Sequence, residues 1–215
     1  MMTKTECLKW LAANITNEIT VTPVSGICRD WEAMLPEDKK ELHIFKGWMS
    51  ATTPIAFGLA LALPHRTIVS LDGDGSILMG LSILPAIAHK NPPNLIIVIW
   101  DNACYEYRSE GITTQNPTLT ADVADLTGIA RGSGIKSARD VRELAEFQAA
   151  YKEALTARGP HFIVAKVPPE FGWNKPVSMD SERSKYRFIK YIEKAEALRL
   201  IDSPYRPKEA KRKQS

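Results

Sequence analysis

Three stretches of the chain are apolar with almost no alternation of polar residues: 67–71, 95–100 and 162–167. A strand that is buried on both faces has this pattern, because neither side of it meets water. Two shorter runs, 19–22 and 42–45, contain β-branched and aromatic residues and predict two further strands. The pattern therefore predicts a sheet that is covered on both of its faces.

Between these strands, apolar residues recur at the spacing of a helix. Leu8, Leu11 and Ile15 lie three or four positions apart and predict a helix before the first strand. Residues 52–63 are rich in Ala and Leu and are followed by Pro64, which suits a helix that ends there.

Two later segments, 76–89 and 141–157, predict further helices. Pro85 lies inside the first of them and predicts a kink, since proline removes a backbone donor and crowds the preceding turn. Asp140 and Glu143 have the spacing of a capping pair at the start of the second. A last periodic segment, with Phe188, Ile192 and Ala195 on one face, predicts a terminal helix on the outside of the domain.

Strands that alternate with helices in this way predict right-handed βαβ units. The expected fold class is therefore α/β, a doubly wound and mainly parallel sheet with helices on both faces. We expect one ligand-binding α/β domain over 1–180, a helical extension over 181–205 and a disordered basic tail over 206–215. Ligands of such sheets bind beyond the carboxyl ends of the strands, so the site is expected there.

Composition adds limits to this picture. The 215 residues, with 44% hydrophobic and 25% charged residues, fit one soluble domain. Cys7, Cys28 and Cys104 lie far apart and suggest neither a disulfide framework nor a metal motif. The N-terminus lacks the features of a signal peptide, and no apolar run reaches membrane-spanning length. We expect a cytoplasmic protein with no membrane partner.

The net charge of +3 comes from the end of the chain, where basic residues outnumber acidic ones after position 205. A basic tail is compatible with nucleic-acid binding, which depends on contacts to phosphate. A solvated tail is the simpler interpretation, so we assign it no function and expect no nucleic-acid partner.

The chemistry of the chain is concentrated where the buried strand 67–71 ends, at Gly73-Asp74-Gly75-Ser76. Two glycines allow a sharp turn and a close approach of the backbone to a ligand. The start of a helix presents unpaired N–H groups to an anion. Asp74 itself would repel phosphate, but it is suited to holding the magnesium that accompanies a diphosphate. Alone, such a segment is more often a simple tight turn.

Asn102 follows the next buried strand, one strand-helix-strand crossover after Asp74. Adjacent parallel strands would bring the carboxylate and the amide oxygen together at one edge of the sheet. Both are hard oxygen ligands of the kind that Mg²⁺ or Ca²⁺ prefers.

These two segments together resemble the diphosphate-binding signature of thiamine-diphosphate enzymes, in which Gly-Asp-Gly is followed by Asn after a spacer in the high twenties. The resemblance implies thiamine diphosphate and Mg²⁺ (or Ca²⁺) as cofactors. It also implies a metal site made of the side chains of Asp74 and Asn102 and the backbone carbonyl of Cys104. The residues implied to contact the cofactor are Gly47, Met49, Gly73, Asp74, Gly75, Ser76, Asn102 and Tyr105.

A second segment, which runs from Gly47 to Ala60, resembles the Gly-x-Met-Gly segment and following helix of the decarboxylase and acetolactate synthase branch. By position, Met49 is the residue that wedges under the thiamine in that branch. The Gly47 carbonyl and the Met49 amide would bond the aminopyrimidine. Ser50 stands where the family usually has a second glycine, and Trp48 replaces a small residue.

Thiamine chemistry also needs a Glu from a pyrimidine-binding domain, and the sequence offers no second α/β domain to supply it. A chain with the diphosphate domain alone resembles the β subunits of split decarboxylases, the sulfopyruvate and phosphonopyruvate type. This implies a pyrimidine-binding α subunit as partner and a dimer, heterotetramer or higher assembly. The implied reaction is decarboxylation of a small anionic 2-oxo acid, with Arg108 as a possible substrate contact.

Three alternatives stay open at the level of sequence. The chain has the fold expected of a β-type subunit of a thiamine-dependent carboligase, in which a second carbonyl traps the carbanion. It also fits a 2-oxo acid oxidoreductase subunit, although the clustered cysteines usual in that class are missing from the sequence. A scaffold without catalytic activity is the third, and the intact Asp74, Asn102 and Met49 argue against it.

Overall fold

The computed structural model describes residues 1–23, 25–45, 48–109, 112–170 and 180–198. Its strands are β1 (Ile19–Thr22), β2 (His43–Phe45), β3 (Ile68–Gly73), β4 (Leu95–Asp101), β5 (Cys104–Ser109), β6 (Ile112–Pro117), β7 (Ser137–Val141) and β8 (His161–Lys166). Its helices are α1 (Lys4–Asn14), α2 (Gly26–Met34), α3 (Thr52–Ala62), α4 (Asp74–Leu78), α5 (Ile83–Lys90), α6 (Leu126–Gly132), α7 (Leu144–Thr156) and α8 (Ser181–Ala195). Short 3₁₀ helices lie at Glu37–Leu42 and Leu119–Ala121.

One parallel sheet with the strand order β2-β1-β3-β4-β8-β7 forms the centre of the molecule. The order reverses direction after β2, so the sheet is doubly wound, and the predicted fold class is confirmed. β5 and β6 form a separate antiparallel hairpin that follows β4 directly. The division of the chain into a domain, an extension and a tail stays a prediction, and residues 199–215 lie outside the described residues.

Both faces of the sheet are packed, which explains the apolar runs in the sequence. On β3 and β4, Ile68 and Ile97 point into a core shared with α3, α5, α6 and α8. The neighbouring Val69 and Ile96 point into a second core shared with α1, α2 and α7. Consecutive side chains of a strand point to opposite faces, so a strand with two packed faces needs apolar residues at every position.

The structure corrects the prediction of one kinked helix over 76–89. Two helices occupy this region: α4 ends at Leu78 and α5 begins at Ile83. Pro85 lies in the first turn of α5. The backbone N–H groups of a first turn have no acceptor inside the helix, so the N–H that proline lacks breaks no helical hydrogen bond and no kink is required.

The prediction of a helix over 141–157 was also wrong at its N-terminal end. Residues Ser137–Val141 form the edge strand β7, whose partly exposed positions carry polar side chains and hid it from the search for apolar runs. The helix begins at Leu144, and its capping box joins Glu143 to Glu146. Asp140 instead accepts a hydrogen bond from Thr127 of α6.

The terminal helix α8 is held to the sheet edge by both packing and charge. Its Phe188 and Ile192 belong to the first core, so it covers β2 as an integral part of the fold. Arg187 donates two hydrogen bonds to the Glu32 carboxylate, at 2.8 and 3.2 Å. The ring of the buried His43 lies between Glu32 and Thr22, at 2.8 and 2.9 Å. This network therefore joins α2, β1, β2 and α8.

Burial alone would raise the pKa of the Glu32 carboxyl. Hydrogen bonds and charge from His43 and Arg187 outweigh that effect and lower its pKa from 4.5 to about 2. Because the folded-state pKa is lowered, the stabilisation is complete above the unfolded value and is lost as the pH falls through the folded value.

None of the described helices combines the length and the apolar composition needed to cross a membrane. The cytoplasmic location expected from the sequence stays a prediction.

We expect Glu32→Gln to lower the free energy of unfolding by about 2–3 kcal/mol at neutral pH, since it leaves Arg187 without its carboxylate. The difference from the wild-type protein should shrink as the pH falls from 4.5 toward 2. Urea unfolding across this range measures it. Glu153→Gln is the control, because Glu153 pairs with Arg139 at 2.7 Å in an exposed position and should matter little. A pH-independent difference for Glu32→Gln would contradict the assignment.

Candidate active site

The predicted site residues meet at the carboxyl ends of β3 and β4. These strands are adjacent and parallel, with Gly73 opposite Trp100 in the register. Asp74 and Asn102 follow directly after the two strands, so the crossover predicted from their spacing is present. Gly73, Asp74, Gly75, Ser76, Asn102, Cys104, Tyr105 and Met49 all line one cavity of about 520 Å³.

Asp74 is the first residue of α4, and only 3% of its surface is exposed. Its Oδ2 accepts hydrogen bonds from the hydroxyls of Thr118 at 2.6 Å and Thr120 at 2.9 Å. Burial, and then the nearby charge of Asp101, raise the pKa of the Asp74 carboxyl from 3.8 to about 6, although the two hydroxyls oppose the shift. In the metal-free protein the ionised carboxylate therefore carries an electrostatic cost.

The loop after β4 is shaped by short-range hydrogen bonds. Asn102 Oδ1 accepts from the backbone N–H of Cys104 at 3.2 Å, and Ala103 adopts a left-handed conformation with φ of 58°. Asp101 forms an ion pair with Lys166 at 2.5 Å. Burial raises the pKa of the Cys104 thiol to about 11, so the thiol is protonated at neutral pH.

Gly75 has no room for a side chain. A Cβ atom at this position would lie 2.2 Å from Cε1 of the Tyr105 ring, far inside van der Waals contact. Tyr105 therefore packs against the turn that the two glycines make, and its ring forms part of the cavity wall. The structure thus gives a steric reason for the second glycine of Gly73-Asp74-Gly75.

Met49 lines the cavity and is 39% exposed. The next residue, Ser50, has a φ of 69°, a conformation that favours glycine. Its backbone N–H donates to the Ser76 hydroxyl at 3.0 Å, which joins this segment to the start of α4. Gly47 lies outside the described residues, as does the side chain of Arg108 on β5.

Several cavity residues were missed by the sequence search. Ser25, Gly26 and Ile27 bring the N-terminus of α2 to the same cavity, and Ser25 caps that helix by accepting from the N–H of Ile27 at 3.1 Å. The signal was the Ser-Gly pair just after the strand β1, which resembles Gly75-Ser76 in composition but has no acidic partner. The two threonines that donate to Asp74, Thr118 and Thr120, were also missed, because they are distant from it in sequence.

Charged residues also form part of the cavity lining. Lys4 of α1 and Asp30 of α2 form an ion pair at 3.1 Å, and both side chains are nearly buried. Burial raises the pKa of the Asp30 carboxyl, while the charge of Lys4 opposes this shift. Lys4, Glu106 and Glu170 line the cavity, and the Glu106 carboxylate accepts from the backbone N–H of Glu170 at 2.9 Å.

Residues 31–165 match the family described as "Thiamine pyrophosphate enzyme, C-terminal TPP binding domain". The chain belongs to this family. Among its relatives, the sulfopyruvate decarboxylase subunit beta of Methanothermobacter thermautotrophicus is 31% identical over 89% of this chain and 96% of that protein. The subunit of the same name from Methanocaldococcus jannaschii is 31% identical over 88% of this chain and 97% of that protein.

A phosphonopyruvate decarboxylase from Streptomyces viridochromogenes is 25% identical over 78% of this chain and 40% of that protein. Among solved structures, the thiamine diphosphate-dependent 4-hydroxybenzoylformate decarboxylase of Rhodococcus jostii RHA1 superposes with a TM-score of 0.64 at 21% identity. The match covers 80% of this chain and 33% of that one. The likeness to this structure shows the fold, and the chain spans about a third of its length.

The residues present fit the metal that a thiamine-diphosphate domain carries. One carboxylate, one side-chain amide and a nearby backbone carbonyl are the hard oxygen donors that Mg²⁺ takes. Within the described part of the chain, no group of three or more His, Cys, Asp or Glu side chains is placed to hold a metal. A set made of one Asp side chain, one Asn side chain and one backbone carbonyl contains too few of these side chains to count as such a group. The binding roles of Asp74, Asn102 and Cys104 therefore stay predictions.

Asp74→Asn should make the metal-free protein more stable at neutral pH, by about 1–3 kcal/mol, because it removes a buried ionised carboxylate. The folded-state pKa is raised, so the wild-type protein itself gains stability as the pH falls from about 6 to 3.8. The variant should lack this gain. Thermal unfolding in EDTA as a function of pH measures both effects. Equal stability curves for the two proteins would contradict the assignment.

Ser50→Gly should raise the free energy of unfolding by about 0.5–1 kcal/mol, since the relief of left-handed strain exceeds the entropic cost of glycine. The Ser50 backbone N–H that bonds Ser76 is retained in this variant. Ser82→Gly is the matched control: Ser82 has a φ of −59° and makes no capping bond through its side chain, so glycine should destabilise there. Urea unfolding of both variants decides between strain relief and a general effect of glycine.

Proposed function

We propose that this chain is the diphosphate-binding subunit of a thiamine-diphosphate-dependent 2-oxo acid decarboxylase that acts with a separate pyrimidine-domain subunit. The observation that carries the proposal is the meeting of Asp74 and Asn102 at adjacent strand ends beside an open cavity. Similarity to β subunits of sulfopyruvate decarboxylase over nearly their whole length supports the division into two chains.

The chain's own residues would bind and orient the cofactor. Asp74, Asn102 and the Cys104 carbonyl would hold Mg²⁺, and the metal would neutralise the charge of the diphosphate. The helix starts at Gly75-Ser76 and Ser25-Gly26 present backbone donors to phosphate oxygens. Met49 would support the thiamine from below, and the chain segment around Gly47 would bond the aminopyrimidine.

The bound cofactor supplies the electron sink that decarboxylation of a 2-oxo acid requires. This chain would contribute position, a metal site and exclusion of water around the diphosphate. The Glu that activates the cofactor would come from the partner subunit, which would also close the open side of the cavity. We further propose a small anionic 2-oxo acid as substrate, with Arg108 as a candidate contact to its second anionic group.

The neighbouring alternatives are weaker. Neither a carboligase nor a 2-oxo acid oxidoreductase is favoured by any contact in the site, and the named relatives with the fullest coverage are decarboxylase subunits. A scaffold without catalysis would not need a buried carboxylate whose ionisation is costly. The stability cost at Asp74 is typical of a residue kept for function.

Carbon dioxide release from sulfopyruvate and phosphonopyruvate tests the proposal, with this chain assayed alone and with the protein that copurifies with it. We expect turnover only when both chains are present, because the activating Glu lies in the partner. Asp74→Ala should lower turnover by about 100-fold or more, since a direct metal ligand matters at least as much as its supporting shell. Thr127→Val, remote from the cavity, is the folded control.

Two outcomes would overturn different parts of the proposal. Rapid decarboxylation by the purified chain alone would exclude the split-subunit arrangement. Unchanged turnover and unchanged thiamine diphosphate binding in Asp74→Ala would exclude the metal site.

A further inference from the structure

The chain returns to Asp74 immediately after the hairpin. β5 begins at Cys104 and β6 ends at Pro117, and these two residues are paired in the antiparallel register. We call residues 117–120, which begin with the last residue of β6, the threonine strap. The strap contains Thr118 and Thr120, whose hydroxyls both contact Asp74.

The strap contacts both segments that carry the expected metal ligands. Thr118 donates its hydroxyl to Asp74 Oδ2 at 2.6 Å, and its backbone N–H donates to the carbonyl of Ala103 at 3.0 Å. Ala103 lies between Asn102 and Cys104 in the left-handed conformation that shapes their loop. Thr118 is thus bonded to the Asp74 side chain and to the Asn102 loop at once, and it is 4% exposed.

Thr120 lies between two carboxylates. Its hydroxyl is 2.9 Å from Asp74 Oδ2, 2.8 Å from Asp101 Oδ1 and 2.8 Å from the hydroxyl of Thr118. A hydroxyl has one proton to donate, so Thr120 satisfies only one of these carboxylates at a time. Lys166 is paired with the other oxygen of Asp101, at 2.5 Å. Among the described residues, the Thr118 hydroxyl contacts no carboxylate other than Asp74, so it is the steadier donor to Asp74.

We propose that Thr118 and Thr120 are positioning residues for the magnesium site: they fix one oxygen of Asp74 and so preset the orientation of its carboxylate for the metal. The physical reason is the strict octahedral geometry of Mg²⁺, which tolerates little freedom in its ligands. Groups that bond a metal ligand from behind fix its orientation and tune its affinity. The inference rests on the proposed function, because it assumes that Asp74 binds the metal.

The positioning role also accounts for the location of the hairpin in the chain. Asn102 precedes it and the strap follows it, so its two paired strands bring Thr118 back beside Ala103. The part of the site that holds the metal is then built from three segments: the start of α4, the loop after β4 and the strap. A change in the hairpin would be transmitted to Asp74 through Thr118.

Binding of Mn²⁺ to the full chain tests the inference, with saturating thiamine diphosphate and with the copurifying partner present. Free Mn²⁺ is followed by electron paramagnetic resonance, which does not depend on turnover. Thr118→Val, which keeps the shape and removes the donor, should weaken Mn²⁺ binding by about tenfold or more. Thr118→Ser restores the hydroxyl and should bind Mn²⁺ like the wild-type protein. Thr120→Val should have a smaller effect, because Thr118 still donates.

Thr127→Val is the matched control, because Thr127 is also a nearly buried threonine that donates to an aspartate, Asp140, far from the cavity. It should leave Mn²⁺ binding unchanged, whatever it does to the melting temperature. If Thr118→Val does not fold, the single variants Thr118→Ala and Thr120→Val are measured in parallel as the same test. The rise in melting temperature on adding Mg²⁺ and thiamine diphosphate is the second readout.

The variant Asp74→Ala distinguishes a failure of the positioning role from a failure of the proposed metal site. If it abolishes Mn²⁺ binding while folded Thr118→Val binds like the wild-type protein, the positioning role is wrong and the proposed function stands. If Asp74→Ala itself binds Mn²⁺ normally, or if the wild-type complex binds none, the metal site of the proposed function is wrong and the positioning role falls with it.

Discussion

The pairing of β3 with β4 is the constraint on which the candidate site depends. Both strands are buried on both faces, so their register is fixed by two cores, and the register decides which residues meet at the carboxyl edge. A shift by one residue would exchange the two faces of a strand and separate Asp74 from Asn102. The apolar packing inside the sheet therefore sets the geometry of polar groups that lie outside it.

At that edge the fold contains an energetically unfavourable feature, which is the burial of a carboxylate. Within the part of the chain that the structure describes, Asp74 is almost completely buried and has no basic side chain bonded to it. Hydroxyl donors only partly offset the loss of water around its charge. A divalent cation would remove this cost, so cofactor binding and stability should be coupled in this domain. The left-handed Ser50 is a second local cost, beside Met49. Asp74 lines the cavity, and Ser50 directly follows Met49, which also lines it.

The remainder of the fold supplies rigidity behind the cavity. Arg187, Glu32, His43 and Thr22 join the terminal helix to the edge strand β2, whose chain continues toward Met49. Helices α1 and α2 are linked by the ion pair of Lys4 with Asp30, and Lys4 lines the same cavity.

The sequence by itself determined the buried strands, the α/β class and the pairing of Asp74 with Asn102, because strands packed on both faces need unbroken apolar runs and one crossover has a narrow range of lengths. The sequence did not reveal β7, since an edge strand alternates polar residues, and it merged α4 with α5 because both are apolar. Only the tertiary structure brought Thr118 and Thr120 to Asp74, and the start of α2 to the cavity. Contacts between segments that are distant in the chain depend on packing, which no local pattern of residues records.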